Sequence, residues 1–184
     1  IAGLSKIHLD LGHVAVFRSL IKQAEILPQL ETELFTTLQV KDLSTLKELC
    51  SHLQPSLRDA LMLLPELYGG DNVLTEAAKW LPDYPEIKTA LNELTMIKQE
   101  MAYIVEDIAF DLGDLRGYHY HTGIVFAAYA RGSSNAIALG GRYEQIGKAF
   151  GRSRPATGFS MDLRDLSRLI KATAYPKGIS VPFQ

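Results

Sequence analysis

Chemistry-bearing residues crowd into the stretch from Arg116 to Leu166, which holds six arginines and four of the eight tyrosines. Its opening string, Arg116-Gly117-Tyr118-His119-Tyr120-His121-Thr122-Gly123, sets a guanidinium beside two phenols and two imidazoles. On a regular pleat Arg116, Tyr118, Tyr120 and Thr122 share one face, and His119 and His121 share the other. A guanidinium pairs a carboxylate through two bonds, so beside phenols it makes a floor for a small polar ligand. The same spacing also describes a partly exposed sheet carrying amphipathic rings, and the residues alone leave both readings open. His119 and His121 stand at a chelating i, i+2 spacing, but no Cys or carboxylate lies at a ligand spacing near them, so no metal is expected. A second group follows at Gly140-Gly141-Arg142-Tyr143. Its paired glycines admit a bend, or the close approach of another backbone, that a Cβ would block.

The elements that must position these groups change character along the chain. Tyr118 to Tyr129 is rich in aromatic, β-branched and small residues and reads as a strand. Arg131 to Asn135 is a turn cluster, and the apolar run Ala136 to Leu139 pairs back to make a hairpin. Gly140 and Gly141 interrupt that run, Arg142 to Ile146 forms a helical turn, and Phe150 to Pro155 is a loop. Ala156 to Met161 is a strand, and Ser160 or Asp162 caps a helix that buries Leu163, Leu166 and Ile170. The tail from Tyr175 reads as a peripheral strand or a disordered end.

At the other end, Lys6 to Leu11 alternates as a strand, Gly12 turns, and His13 to Ala24 is a helix with Val14, Phe17, Leu20 and Ile21 inward. His13 is read as a helix-start residue with a local hydrogen bond. Residues 27–103 are helical throughout, with segments from Pro28 to Gln39, from Asp42, and from Pro55 to Gly69-Gly70. Two more follow, one capped by Asp71 and running to Trp80, the other from Glu86 to Ile104. Val105 to Leu112 enters as a strand. Asp111 either partners Arg116 or caps a turn, and the turn role is favoured.

Composition bounds the class. At 184 residues, 47% hydrophobic and 22% charged, the chain suits one soluble globular core with a helical appendage. One cysteine, Cys50, excludes an internal disulfide and fits a reducing, cytoplasmic setting. No apolar run approaches the roughly 20 residues that span a bilayer, and no signal stretch is evident. The first residue is Ile1 rather than Met, which suits a piece of a longer protein. The net charge of −2 is divided: residues 1–115 carry nine Lys/Arg against eighteen Asp/Glu (−9), and the rest ten against three (+7). A positive sheet region favours an anionic ligand or an acidic partner surface.

Three strings are spelled in a family-specific way. Arg116 to Phe126 resembles the signature of histidyl-tRNA synthetases, arginine-glycine-leucine-aspartate-tyrosine-tyrosine-threonine-glycine. Gly140-Gly141-Arg142-Tyr143-Glu144 is similar to their second signature, and Gly158 to Leu166 falls where class II synthetases carry a third motif. The resemblance implies an α+β fold, a class II aminoacyl-tRNA synthetase-like antiparallel sheet core (residues 1–26 and 104–184) with a helical insertion (27–103). It also implies that an N-terminal part of that core lies ahead of Ile1.

The departures point away from the synthetase. There an arginine of the third motif holds the outer phosphate of ATP, whereas this chain has Asp165 at that position and Arg164 one residue earlier. One residue along a helix rotates a cation by about 100°. Asp162 and Asp165 suit a helix N-terminus but repel a triphosphate; like charges about 4 Å apart cost roughly 1 kcal/mol even in water. His121 stands where the synthetase's tyrosine touches histidine. The altered strings resemble instead the regulatory subunits of ATP phosphoribosyltransferase. That resemblance implies a noncatalytic, cofactor-free cytoplasmic protein, self-associating within a hetero-oligomer with the short-form catalytic subunit, not engaging tRNA, and conferring feedback by histidine. A histidine pocket of Arg116, Tyr120, His121, Gly140, Gly141, Arg142 and Tyr143 is implied, with Asp162, Arg164 and Asp165 as a degenerate ATP motif. If Arg116 and His121 both reach the ligand, a pleated strand must bulge between them. The alternatives are a histidyl-tRNA synthetase, or a fragment of one, that activates histidine with ATP, and a dimeric scaffold that binds no amino acid.

Overall fold

The computed structural model describes residue 4, residues 6–144, residue 151 and residues 154–170. In chain order these form β1 (Ile7–His13), α1 (Val14–Gln23), α2 (Pro28–Gln39), α3 (Leu43–Leu49), α4 (Pro55–Leu63), β2 (Tyr68–Gly69), α5 (Asn72–Trp80) and α6 (Pro85–Met101). Then come β3 (Asp107–Asp111), β4 (Ile124–Ala130), β5 (Ala138–Tyr143), β6 (Ala156–Met161) and α7 (Leu163–Leu169). The strands make one sheet in the order β2-β3-β1-β4-β5-β6. It is antiparallel except where β1 and β3 run parallel, pairing His8 with Asp107 and Phe110 with Leu11.

Strand β1 passes into α1 without the turn expected at Gly12. Gly12 lies inside the strand, paired with Val125, where a Cβ would stand 2.8 Å from the Asp111 carbonyl oxygen and 3.0 Å from Val125 Cγ2. His13 is still extended at φ −146°, and its Nδ1 accepts the Ala15 N–H at 3.3 Å, the local bond expected of a helix-start residue. The Val14 N–H donates to the Gly123 carbonyl at 3.1 Å, so the helix start is tied to the strand beside it.

The helices begin where proline or aspartate permits. Pro28, Pro55 and Pro85 occupy first turns, where a missing N–H costs nothing. The Asp42 carboxylate accepts the Ser44 and Thr45 N–H groups, both at 3.1 Å. Asp71 precedes α5 as expected but makes no capping bond; its carboxylate pairs with Lys98 at 2.7 Å instead. Helix α4 stops at Leu63 rather than reaching Gly69-Gly70, and one 3-10 turn (Leu64–Glu66) leads into β2. Helix α6 stops at Met101, three residues short of the expected end.

One hydrophobic core joins sheet and helices. Leu9 and Leu11 of β1 and Phe17 and Leu20 of α1 share it with Leu34, Leu38, Leu61 and Leu94 from the helical stretch and with Phe110. Each such side chain contributes about 1.5–3 kcal/mol by leaving water. Helix α7 is outside it. Asp162 caps α7, accepting the Arg164 and Asp165 N–H groups at 2.8 and 3.1 Å, but none of the helix's residues is buried. Leu163, expected inward, is 72% exposed. The tail from Tyr175, and Phe150, Arg152 and Ser153 of the expected loop, lie outside the described residues.

Candidate functional site

The expected strand over Tyr118 to Tyr129 begins only at Ile124, and the residues before it wind into turns. The Tyr118 N–H donates to Leu115, and the Tyr120 and His121 N–H groups both donate to the Gly117 carbonyl, at 2.8 and 2.7 Å. Gly117 holds φ at +65°, a left-handed conformation open to glycine and strained for most other residues. From below, Arg18 of α1 donates through Nη2 to the Tyr118 and His121 carbonyls at 2.9 and 3.1 Å. The alternating pattern therefore misassigned the faces. Tyr118 turns into the core, 3% exposed, while Arg116, Tyr120 and His121 meet at one cleft. No bulge is needed, since the turn brings Arg116 and His121 together.

That cleft measures about 530 Å³ and lies over β4, β5 and β6. Of the predicted residues, Arg116, Tyr120, His121, Gly140 and Tyr143 line it. Gly141 and Arg142 instead line a separate groove with Leu11, Glu93 and Ile97, and Arg142 pairs with Glu144 at 2.9 Å. Arg142 departs because neighbouring residues of a strand point to opposite faces. Arg142 and Tyr143 belong to β5 and not to a helical turn; Gln145 and Ile146 lie outside the described residues. Asp162, Arg164 and Asp165 do not line the cleft. Phe159 and Ser160 do, contributed by β6. They escaped sequence reasoning because the β5–β6 register, which sets Gly140 opposite Phe159, leaves no local signal.

Gly140 and Gly141 make close approaches, not a bend. A Cβ on Gly140 would stand 2.4 Å from the Gly158 carbonyl oxygen and 2.6 Å from Phe126 Cζ. On Gly141 it would stand 2.6 Å from the Ile124 carbonyl oxygen and 2.8 Å from His121 Nδ1. Gly117 closes on the other side of the same ring, where a Cβ would lie 2.4 Å from His121 Cδ2. His121 is thus clamped between two glycines, and burial lowers its pKa, favouring the neutral imidazole. The Tyr120 ring stands nearly perpendicular to it at 5.2 Å and lies 4.9 Å from the Tyr143 ring.

Arg116 is held by Asp114. Its Nε donates to both carboxylate oxygens, at 2.9 and 2.8 Å, and its Nη2 bonds one of them. The hydrogen bond with Asp114 raises the guanidinium's pKa further, so its charge is permanent. Asp111 takes the turn role: its carboxylate accepts the Gly113 N–H at 2.9 Å and pairs with Lys41 at 3.3 Å. Burial raises the Asp111 pKa, and Lys41 only partly offsets this. The described lining thus presents a cation, two phenols and an imidazole with no carboxylate. Such a wall suits a ligand with a carboxylate and a flat ring. Among the described residues no group of three His, Cys, Asp or Glu side chains is placed to hold a metal.

A protein-family model described as Histidyl-tRNA synthetase matches residues 1–166. The chain belongs to the histidyl-tRNA synthetase family. Within it, the ATP phosphoribosyltransferase regulatory subunit of Nitrosospira multiformis is 60% identical over 187 residues, covering 100% of this chain and 48% of that protein. The chain spans about half the length of the curated relatives it matches. A solved structure from Bacillus halodurans, described as an ATP phosphoribosyltransferase regulatory subunit/histidyl-tRNA synthetase, superposes with a TM-score of 0.78 at 28% identity. It covers 92% of this chain and 46% of its own. The ATP phosphoribosyl transferase (HisG:HisZ) complex from Thermotoga maritima matches at a TM-score of 0.61 and 19% identity, over 85% of this chain and 53% of that one, a likeness of fold. The α+β class II synthetase-like architecture is that of the family. No helix of the described residues is long and apolar enough to cross a membrane.

Proposed function

We propose that this chain belongs to a regulatory subunit of ATP phosphoribosyltransferase, a noncatalytic cytoplasmic protein that supports the first step of histidine biosynthesis with the short-form catalytic subunit. The observation that carries the reading is the 60% identity, over all of the chain, to a relative bearing that name. The geometry supports it. Arg116, Tyr120, His121 and Tyr143 line a cleft of about 530 Å³ with room for an amino acid, Arg116 for a carboxylate and the rings for an imidazole. Gly140 lets Phe126 and Gly158 close its floor. Gly141 serves from behind by holding His121, and Arg142, on the other face, is left out of the pocket. The nucleotide end is different: Asp162 takes up the first amides of α7, and Asp165 pairs with Arg168 at 3.0 Å. The Asp162 carboxylate at the head of α7, uncompensated by a cation among the described residues, opposes a triphosphate, so histidine is sensed without being activated.

In this reading histidine acts by linkage, binding one state of a self-associated hetero-oligomer more tightly than another. Such coupling is typically about 1–3 kcal/mol, or roughly 5- to 150-fold in affinity. The full-length protein should co-purify with the short catalytic subunit and restore an activity that histidine inhibits. Failure on either count defeats the proposal. Pyrophosphate exchange dependent on histidine and ATP would favour the synthetase alternative instead. Calorimetry with histidine against other amino acids separates a sensor from a scaffold.

A further inference from the structure

Tyr118 is the buried residue of the aromatic string, and what surrounds it comes from two different helices. Its ring meets Phe17 of α1 edge-on at 5.2 Å and stacks on Phe35 of α2 at 5.6 Å. The Arg18 guanidinium lies over the ring, 4.9 Å from its centroid. The phenol donates to Glu31 Oε1 of α2 at 2.7 Å. The backbone of the same residue is one of the two carbonyls that Arg18 holds, His121 being the other. So the turn from Gly117 to His121 is pinned at both ends by α1, and its one buried side chain is anchored on α2.

We infer that Glu31 and Tyr118 are positioning residues for the Tyr120–His121 wall of the cleft, a joint through which α2 sets the affinity of that wall for its ligand. Only one residue separates the Tyr118 anchor from Tyr120, and both N–H groups of the wall bond back to Gly117. A shift of α2 therefore moves the wall unless the Tyr118–Glu31 bond breaks, and breaking it strands a buried hydroxyl and a partly buried carboxylate. Packing of this kind has two discrete arrangements more readily than a continuum of them. The phenol stays a donor over the whole physiological range, since burial and then the bond to Glu31 push its pKa up to about 12. The leucine of the resembling synthetase signature has no atom to make this bond.

The inference takes its ligand, but not its geometry, from the regulatory reading above. The test uses the full-length protein with Y118F, E31A, the double variant and E31Q, whose amide oxygen still accepts from the phenol. Native-state hydrogen exchange is read at the Tyr120 and His121 amides, with the Leu20 amide of α1 as a core reference, and histidine affinity by calorimetry. Y118F and E31A should speed exchange at Tyr120 and His121 about tenfold or more relative to Leu20. The double variant should be no faster than either single, E31Q should stay near wild type, and histidine affinity should fall in the same order. Unchanged exchange at the wall, equal acceleration at Leu20, or additive effects in the double variant would each overturn the inference. Absence of histidine binding to the wild-type protein would sink the functional reading, while the exchange data would still decide the joint.

Discussion

His121 is held where two Cβ atoms are absent. Its ring lies between Gly117 and Gly141, and burial favours its neutral form. A methyl group on Gly141 meets the Ile124 carbonyl as well as the ring, so relief requires both backbone and imidazole to move. G141A should cost about 1–3 kcal/mol of stability, as overpacking typically does, and weaken histidine binding. Thermal melts and calorimetry on the same preparation check both, and a stable variant with unaltered affinity would refute the clamp. The residue types of this site were readable from the string itself, Arg116 with Tyr120, His121 and Tyr143. Their directions were not. They depend on the left-handed Gly117 and on Arg18, ninety-eight positions away in sequence from Arg116, and alternation of residue types carries no trace of either.

Between elements, the parallel pairing of β1 and β3 carries an ionisable bridge. His8 bonds Asp10 at 2.6 Å on its own strand and Asp107 at 2.9 Å on the next. Burial works against the charged ring, but the hydrogen bonds of Asp107 and Asp10 outweigh it, and the His8 pKa is raised. A raised folded value means the bridge stabilises fully below the ordinary histidine pKa of about 6.5 and is lost as pH climbs through the folded value. His13 has the opposite sign. Burial lowers its pKa despite the Glu93 hydrogen bond, so its contribution is present above the ordinary value and lost as pH falls through the folded one. H8Q should therefore lower the melting temperature more at about pH 5.5 than at about pH 8.5. An equal loss at both would mean the bridge carries no charge-dependent stability.

Most elements were legible where a local rule fixes them. Pro28 and Pro55 start helices, Asp42 and Asp162 cap them, and Ala156 to Met161 is a strand at the bounds read from its residues. What escaped was set by distant partners. The two-residue β2 exists only because Tyr68 and Gly69 find Asp111 and Phe110. Gly140 and Gly141 continue β5 because β4 and β6 flank them on both sides.

Across the described residues, exposed apolar side chains recur in the stretch from β6 into α7. Phe159, Met161 and Leu163 there are 68%, 40% and 72% exposed. Exposed apolar residues clustered in this way mark surfaces that take up other apolar groups. The 184-residue chain by itself should bind a hydrophobic dye, and the pair F159S and L163S should reduce that signal without lowering the melting temperature. A dye signal that ignores both substitutions would place the adhesive surface elsewhere.

The carboxylate at the head of α7 also bears on the proposed lack of ATP activation. Asp162 already satisfies the amides of Arg164 and Asp165, so in the proposed reading an arginine at 165 would stand beside a carboxylate that still opposes a triphosphate. Removing Asp162 alone would free the amides while forfeiting about 1 kcal/mol of helix stability and leaving Asp165 in place. Neither half-step is useful without the other. In the proposed regulatory reading, neither substitution by itself should therefore yield histidine-dependent pyrophosphate exchange.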